Sequence, residues 1–256
     1  MKPVVLEVAE EGRGDALLLA HAIGCDRGMW DDVVPALAKH FRVVRIDARG
    51  HGASPVPPPP YSLGQLAGDV VGVLDRLRIE RAHWVGLSMG GMIGQAFALA
   101  HGDRLGRLVL ANTTSSYGAD GRKMWEARAE AVEEGGMAAI TDLAMTRYFS
   151  DEFRVHRPQV VDRIRRRFLD TDPRGYIGCC NAIRDLDFTA QLARIKAPTL
   201  VIAGEKDAGT PPAMSEAIAA KIPGARMAVI AGAAHLSAVE NPSEFATLAR
   251  DFLLEA

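Results

Sequence analysis

Residues 86–90 of this 256-residue chain are Gly86-Leu87-Ser88-Met89-Gly90. They follow the apolar run Ala82–Val85 and precede a small, apolar stretch that is typical of a buried helix. A Gly-x-Ser-x-Gly sequence between a strand and a helix predicts a nucleophile elbow, a strained turn that exposes the serine hydroxyl. The glycines leave the space that such a turn needs. We therefore predict that Ser88 is a nucleophile; the alternative is an ordinary turn with a helix-capping serine.

A serine nucleophile needs a general base, and the base needs an acid that holds its tautomer and orientation. After an elbow of this kind the acid and then the histidine follow along the chain. Asp207 comes just after a strand-like run that ends at Gly204, and His235 comes on a loop after another such run. We predict a triad of Ser88, Asp207 and His235. Glu205 is the rival acid, disfavoured because it follows the strand-ending glycine too closely to reach a histidine loop.

Acyl transfer also needs N–H donors that face the developing oxyanion. The N–H of Met89, directly after the nucleophile, is one predicted donor. The second comes from the loop after an early strand. Ala16–Ala20 is that predicted strand, so we choose the N–H of Ile23, with Gly24 making the turn possible. His51 lies on another polar loop, and we expect it to order that loop rather than to perform chemistry.

Strand-like runs alternate with helical stretches along the chain, which predicts an α/β fold with a mostly parallel sheet flanked by helices. The predicted strands are Val4–Val8, Ala16–Leu19, Val43–Ile46, Ala82–Val85, Leu108–Ala111, Thr199–Ala203 and Met227–Ile230. The alternation stops between Gly118 and Leu192, where the sequence is helical and charged. We expect residues 118–192 to form a helical cap over the active site, and residues 1–117 and 193–256 to form the core.

Composition argues against several classes of protein. The formal net charge of −2 argues against a nucleic-acid partner, and no apolar run reaches the ~18 residues of a membrane span. The three cysteines suggest no disulfide framework, and residues 1–7 lack the shape of a signal peptide, so we expect a cytoplasmic protein. No His, Cys or carboxylate spacing is typical of a metal site, and we expect neither a metal nor another cofactor. The sequence leaves the oligomeric state open.

Several further stretches resemble the 3-oxoadipate enol-lactonase family of α/β-hydrolases, over nearly the whole chain. Residues 45–54, 86–95 and 110–113 match, although the elbow and the Arg-Gly-His-Gly loop belong to the whole superfamily. The more selective matches lie in the predicted cap. They are Thr171–Tyr176 leading into Cys179–Asp185, and Trp125-Glu126-Ala127-Arg128, which resembles a Trp-x-x-Arg element of that family.

The resemblance implies a serine hydrolase that opens 3-oxoadipate enol-lactone through an acyl-enzyme, in the catabolism of aromatic compounds. The partner is then a small-molecule lactone or ester. Because this substrate carries a carboxylate, the resemblance points to Arg128 as its cation and to Trp125 as an apolar wall beside it. The alternative for both residues is an amphipathic helix with a buried tryptophan and a surface arginine.

Two other functions remain open at this point. One is a broad carboxylesterase on short-chain esters, since His21-Ala22 is closer to the His-Gly pair of general esterases than to the pair of the lactonases. The other is a non-catalytic ligand-binding member of the fold, against which the apparently complete triad argues. A dehalogenase is disfavoured because the elbow carries Ser88 rather than aspartate.

Overall fold

The computed structural model describes residues 3–255, so Met1, Lys2 and Ala256 of the expected core lie outside the described residues. A seven-stranded sheet forms the centre, in the order β1-β3-β2-β4-β5-β6-β7. The strands are Val8–Glu11 (β1), Asp15–Ala20 (β2), Phe41–Ile46 (β3), Ala82–Leu87 (β4), Leu105–Ala111 (β5), Thr199–Gly204 (β6) and Arg226–Ile230 (β7). Strand β1 is antiparallel to β3, and the other neighbouring pairs are parallel. The predicted α/β fold with a mostly parallel sheet is confirmed.

Helices flank the sheet, and helices also form the segment between β5 and β6. They are Val34–Leu37 (α1), Leu63–Arg76 (α2), Met89–Ala100 (α3), Gly118–Gly135 (α4), Ala138–Tyr148 (α5), Asp151–His156 (α6), Pro158–Leu169 (α7), Pro173–Arg184 (α8), Pro212–Ala219 (α9), Ser237–Glu240 (α10) and Pro242–Leu253 (α11). The central strands are buried on both faces, and Leu17, Leu18 and Leu19 of β2 are fully inaccessible. This explains why these strands are continuous apolar runs rather than alternating ones.

Six of the predicted strands lie within observed strands, and the first does not. The sequence predicts Val4–Val8, whereas β1 begins at Val8. The N–H of Val4 donates to the carboxylate of Asp69 at 2.9 Å, and the N–H of Glu7 donates to Ser54 Oγ at 2.9 Å. These two N–H groups bond to side chains instead of to a neighbouring strand, although Glu7 O accepts from the N–H of Asp47 at 3.0 Å, and the ladder starts at Val8.

Helices α4 to α8 all lie between β5 and β6, and we call them the inserted helices. They end at Arg184, earlier than the expected boundary at Leu192, which instead starts a short 3₁₀ turn. On α7 the apolar face of Val161, Ile164 and Phe168 is buried. Two of its arginines, Arg163 and Arg167, pair with Asp32 and Asp26 in the segment between β2 and β3, and so tie the inserted helices to that segment.

Candidate active site

Ser88 lies at the turn between β4 and α3, with φ 55° and ψ −114°. A positive φ is uncommon outside glycine and persists where the surroundings enforce it. Here the N–H of Ser88 donates to Ala111 O at 2.8 Å. A Cβ on Gly86 would lie 2.2 Å from Gly90 O, and one on Gly90 would lie 2.0 Å from Ala20 O. Close packing on both sides of the turn therefore requires the two glycines.

The side chains of Ser88, His235 and Asp207 form a continuous hydrogen-bonded chain. His235 Nε2 lies 2.8 Å from Ser88 Oγ, and His235 Nδ1 lies 2.9 Å from Asp207 Oδ2. All three residues are buried. They follow β4, β7 and β6, and the carboxyl ends of parallel strands meet at one edge of a sheet, where ligands of α/β proteins bind. In this arrangement the imidazole is placed to take a proton from the hydroxyl while the carboxylate holds its other nitrogen.

The Asp207 carboxylate is held by several donors besides His235. Oδ1 accepts from the N–H groups of Gly209 at 2.8 Å and Thr210 at 2.9 Å. Oδ2 accepts from Thr210 Oγ1 at 2.7 Å and Asn112 Nδ2 at 3.0 Å. Burial raises the pKa of Asp207, but the charge and hydrogen bond of His235, with the other donors, outweigh burial and bring the pKa to about 2. Asp207 is therefore ionised at neutral pH.

Glu205, the alternative candidate for the acid of the triad, lies away from the imidazole of His235. The side chain of Glu205 is exposed, and its Oε2 accepts from the N–H of Gly232 at 2.8 Å. Glu205 thus contacts the start of the loop that carries His235 rather than the imidazole itself.

The two predicted oxyanion donors lie beside the serine. Met89 is the first residue of α3, so its N–H belongs to the helix N-terminus, where negative charge is favoured. Ile23 lies in the turn after β2 and lines the same cavity as Ser88. Its carbonyl oxygen accepts a hydrogen bond from the hydroxyl of Tyr148, on the inserted helices. The inserted helices thereby help to hold the turn that carries Ile23.

Gly24 shapes the same turn with φ 68°, and a Cβ there would lie 2.4 Å from the ring of Phe168. Its N–H donates to His51 Nε2 at 2.9 Å. Burial and the neighbouring His21 lower the pKa of His51 to about 3, so the ring is neutral and Nε2 remains an acceptor. His51 was expected to order its own loop; its ring reaches across and holds the turn after β2 as well.

A narrow cavity lies over Ser88. Core and inserted helices both line it. The lining residues are Ile23, Ser88, Tyr117, Met124, Trp125, Arg128, Arg147, Tyr148, Gly209 and His235. The predicted Trp125 and Arg128 are thus brought to the serine, about forty residues further along the chain.

Arg128 has an unusual environment for a cation. Its Nε and Nη2 are inaccessible to solvent and have no hydrogen-bond partner among residues 3–255, and no carboxylate of those residues pairs with it. The guanidinium lies over the rings of Trp125 and Tyr176, with Cζ 5.3 Å and 5.6 Å from their centroids. Inaccessible donors without an acceptor are unfavourable, and the arrangement therefore favours an anion in the cavity.

Comparison with known proteins places this geometry in a family. Residues 15–242 match the family described as alpha/beta hydrolase fold. The chain belongs to this family. It is 35% identical to 3-oxoadipate enol-lactonase 2 of Acinetobacter baylyi, over 94% of this chain and 90% of that protein. The enol-lactonase of Burkholderia xenovorans LB400 is a solved structure with 39% identity and a TM-score of 0.95, over 98% of this chain and 96% of that one.

A further solved structure similar to this α/β hydrolase is a thermophilic esterase from Thermogutta terrifontis, described as malate bound. It is 31% identical with a TM-score of 0.93, over 97% of this chain and 92% of that one. The protein is an ester hydrolase. None of the helices within residues 3–255 has the length and apolar character needed to cross a bilayer.

Two residues near the site of this hydrolase, Tyr148 and Glu240, were not predicted from the sequence. The Tyr148 ring stacks on His235, with centroids 5.7 Å apart, and Leu236 N–H donates to Tyr148 O at 2.9 Å. Glu240 accepts from the N–H groups of Ser150 at 2.8 Å and Ala234 at 3.2 Å, and so joins the inserted helices to the loop before His235. Neither residue belongs to a recognisable motif, and only the folded arrangement brings them to the histidine.

The pKa of Asp207 has a consequence for the stability of the hydrolase in acid. Its folded pKa of about 2 lies below the ordinary value of 3.8. A depressed pKa stabilises the fold above the unfolded pKa, and this stability is lost as the pH falls through the folded pKa. We expect about 2 kcal/mol from this carboxylate at neutral pH, declining between about pH 4 and pH 2.

Denaturant unfolding of the wild type and of Asp207→Asn at about pH 6 and pH 2.5 measures this contribution. The difference in unfolding free energy between the two proteins is expected to shrink at the lower pH. A difference that is independent of pH would contradict the depressed pKa.

Proposed function

We propose that this protein hydrolyses 3-oxoadipate enol-lactone, a lactone with a free carboxylate, to 3-oxoadipate in the catabolism of aromatic compounds. The observation that carries the proposal is the Arg128 guanidinium, which lines the cavity over Ser88 and has no anionic partner among residues 3–255, while its Nε and Nη2 are inaccessible to solvent. A carboxylate on the substrate would pair with it. The names of the enol-lactonase relatives support the same substrate.

In the proposed mechanism Ser88 Oγ attacks the lactone carbonyl and His235 Nε2 takes its proton, while ionised Asp207 stabilises the imidazolium. The N–H groups of Met89 and Ile23 bind the oxyanion of the tetrahedral intermediate. Collapse of that intermediate breaks the ring C–O bond and releases an enolate, a better leaving group than an alkoxide. His235 returns the proton, and the enol tautomerises to the ketone while the other end of the chain stays esterified to Ser88.

Release of the product repeats these steps with water. His235 takes a proton from the water as its oxygen attacks the acyl carbonyl, and the same N–H groups bind the second oxyanion. Breakage of the ester bond returns the proton to Ser88 Oγ and leaves a second carboxylate on the product.

We further propose that residues 118–192 act as a cap over the site and residues 1–117 and 193–256 as the core. The buried free cysteines fit a cytoplasmic protein.

A matched pair of substrates tests the role of Arg128. The neutral partner is 5-methyl-3H-furan-2-one, which has the enol-lactone ring without the carboxylate. Arg128→Ala is expected to lower kcat/KM on the carboxylated lactone roughly 10- to 150-fold, since a hydrogen bond to a charged group contributes about 1.5–3 kcal/mol. Turnover of the neutral lactone is expected to change little, because it makes no such contact.

Arg122→Ala is the control, since Arg122 lies on the same helix but pairs with Asp185 at the surface. It is expected to leave both rates unchanged. Equal losses on both lactones in Arg128→Ala would make Arg128 structural. If the unmutated protein opens no carboxylated lactone but hydrolyses p-nitrophenyl esters, the second candidate holds, a carboxylesterase. The similarity to the Thermogutta terrifontis esterase favours that candidate.

A further inference from the structure

One side chain of the inserted helices contacts both the general base and the turn of the predicted oxyanion donor. Tyr148 is the last residue of α5 and is buried. Its ring stacks on His235 with 23° between the ring planes, and its hydroxyl donates to Ile23 O. Its backbone oxygen accepts from the N–H of Leu236. A residue outside the sheet therefore joins two separate parts of the site.

The bond from Tyr148 acts on the central peptide of a tight turn. The N–H of Cys25 donates to Ala22 O at 3.1 Å, which closes a four-residue turn with Gly24, at φ 68°, as its third residue. A positive φ at that position is typical of a type II turn, which differs from a type I turn by a flip of the central peptide. Here that peptide joins Ile23 to Gly24, so its orientation decides the shape of the turn.

Both ends of this central peptide are held by distant parts of the chain. Its carbonyl oxygen, Ile23 O, accepts from the Tyr148 hydroxyl, and its N–H, on Gly24, donates to His51 Nε2 at 2.9 Å. A flip of the peptide would break both bonds. Burial raises the pKa of Tyr148 well above its ordinary value, so the hydroxyl stays protonated and remains a donor.

The rings around the turn leave it little room to relax. Tyr148 meets Phe168 edge-on, with centroids 6.0 Å apart. A Cβ on Gly24 would lie 2.4 Å from the ring of Phe168 and 3.2 Å from Tyr176 Cε2. A donor held in this way needs no reorganisation when the oxyanion forms, and such preorganised donors are the ones that accelerate acyl transfer.

We propose that Tyr148 is a positioning residue, whose hydroxyl holds the Ile23–Gly24 peptide and thereby keeps the N–H of Ile23 directed at the oxyanion. The N–H of Ile23 and the central peptide are attached to the same Cα, so release of that peptide frees the donor to turn away. The proposal rests on the proposed mechanism, in which Ile23 supplies an oxyanion donor. It makes the inserted helices necessary for the turnover of substrates that carry no carboxylate.

Tyr148→Phe tests the proposal, because it removes the hydroxyl and keeps the ring over His235. Removing an oxyanion donor outright lowers kcat about 10²- to 10³-fold. Since Tyr148→Phe only releases the turn, we expect a smaller loss of kcat on p-nitrophenyl acetate, roughly 10-fold, the contribution of one strong neutral hydrogen bond. Acylation and deacylation both form an oxyanion, so both steps slow and KM is expected to change little.

Inhibition by phenylboronic acid gives a second readout that needs no turnover of the inhibitor. Its boron forms a tetrahedral adduct with an active serine, and one oxygen of the adduct takes the place of the oxyanion. The Ki is expected to rise about 10-fold in Tyr148→Phe, in parallel with the loss of kcat. Fluorophosphonate labelling carried to completion counts the active serines, so that kcat refers to active enzyme only.

Tyr61→Phe is the matched control. Tyr61 is also buried, and its hydroxyl also donates to a backbone oxygen, Pro57 O at 2.6 Å, but it is outside the lining of the cavity over Ser88. This variant loses the same kind of bond without touching the turn. Its kcat and its Ki for phenylboronic acid are expected to equal those of the wild type.

The outcomes separate the positioning role from the proposed substrate. If Tyr148→Phe keeps both kcat and Ki, changes KM alone, or loses activity only in proportion to its active serines, the positioning role is wrong, whatever the substrate. If the wild type hydrolyses p-nitrophenyl acetate with the expected dependence on Tyr148 but does not open the carboxylated lactone, the positioning role stands and the proposed substrate is wrong.

Discussion

Ser88→Ala is expected to reduce the hydrolysis of every ester and lactone by roughly 10³-fold or more. Ser88 Oγ, 2.8 Å from His235 Nε2, is the atom that would carry the acyl group. The hydroxyl of the nearby Tyr148 does not replace it, because that hydroxyl donates to Ile23 O. Rates on the carboxylated lactone and on p-nitrophenyl acetate measure the loss. Near-normal activity in the variant would contradict the prediction that Ser88 is the nucleophile.

A fluorophosphonate probe adds a covalent readout, since it labels an activated serine. We expect the wild type to be labelled and Ser88→Ala to remain unlabelled. Ser215→Ala is the matched control, because Ser215 is also buried and its Oγ has no hydrogen-bond partner among residues 3–255. That variant is expected to keep full activity and labelling. A wild type that resists the probe and hydrolyses nothing would favour a non-catalytic ligand-binding protein.

The arrangement around Ser88 was accessible from the sequence because it depends on strand order more than on packing detail. Parallel strands end at the same edge of the sheet, so residues that directly follow β4, β6 and β7 are brought together whatever lies between them. Position after a strand was therefore enough to predict that Ser88, Asp207 and His235 lie close to one another. Gly24 and the turn of Ile23 follow from the same argument for β2.

The contacts from the inserted helices were not accessible in this way. Helical periodicity predicts which face of a helix is buried, but not which core atoms that face meets. The bond from Tyr148 to Ile23 and the position of Tyr176 beside Gly24 depend on how α5 and α8 pack against the core. The late start of β1 has a similar cause, since Asp69 and Ser54 capture backbone groups from distant parts of the chain.

Asp207→Asn is expected to lower kcat by up to ~10⁴-fold, by analogy with other triads. The reason lies in the donors around the carboxylate. Asp207 Oδ1 accepts two backbone N–H bonds, from Gly209 and Thr210, so the amide oxygen of asparagine is expected to take this position. The amide NH₂ then faces His235 Nδ1 and makes that nitrogen the acceptor. The imidazole proton moves to Nε2, where it points at Ser88 Oγ, and the ring no longer accepts the serine proton.

Glu205→Gln separates this effect from a general loss of carboxylate charge near the His235 loop. The bond from Gly232 N–H to Glu205 Oε2 is one that a glutamine oxygen also makes, so we expect little change in kcat. Initial rates at saturating neutral lactone compare the two variants without involving Arg128, and circular dichroism confirms that both are folded. If Glu205→Gln lost activity while Asp207→Asn kept it, the acid role would pass to Glu205. The carboxylate that sets the histidine tautomer is the one whose replacement by an amide abolishes activity.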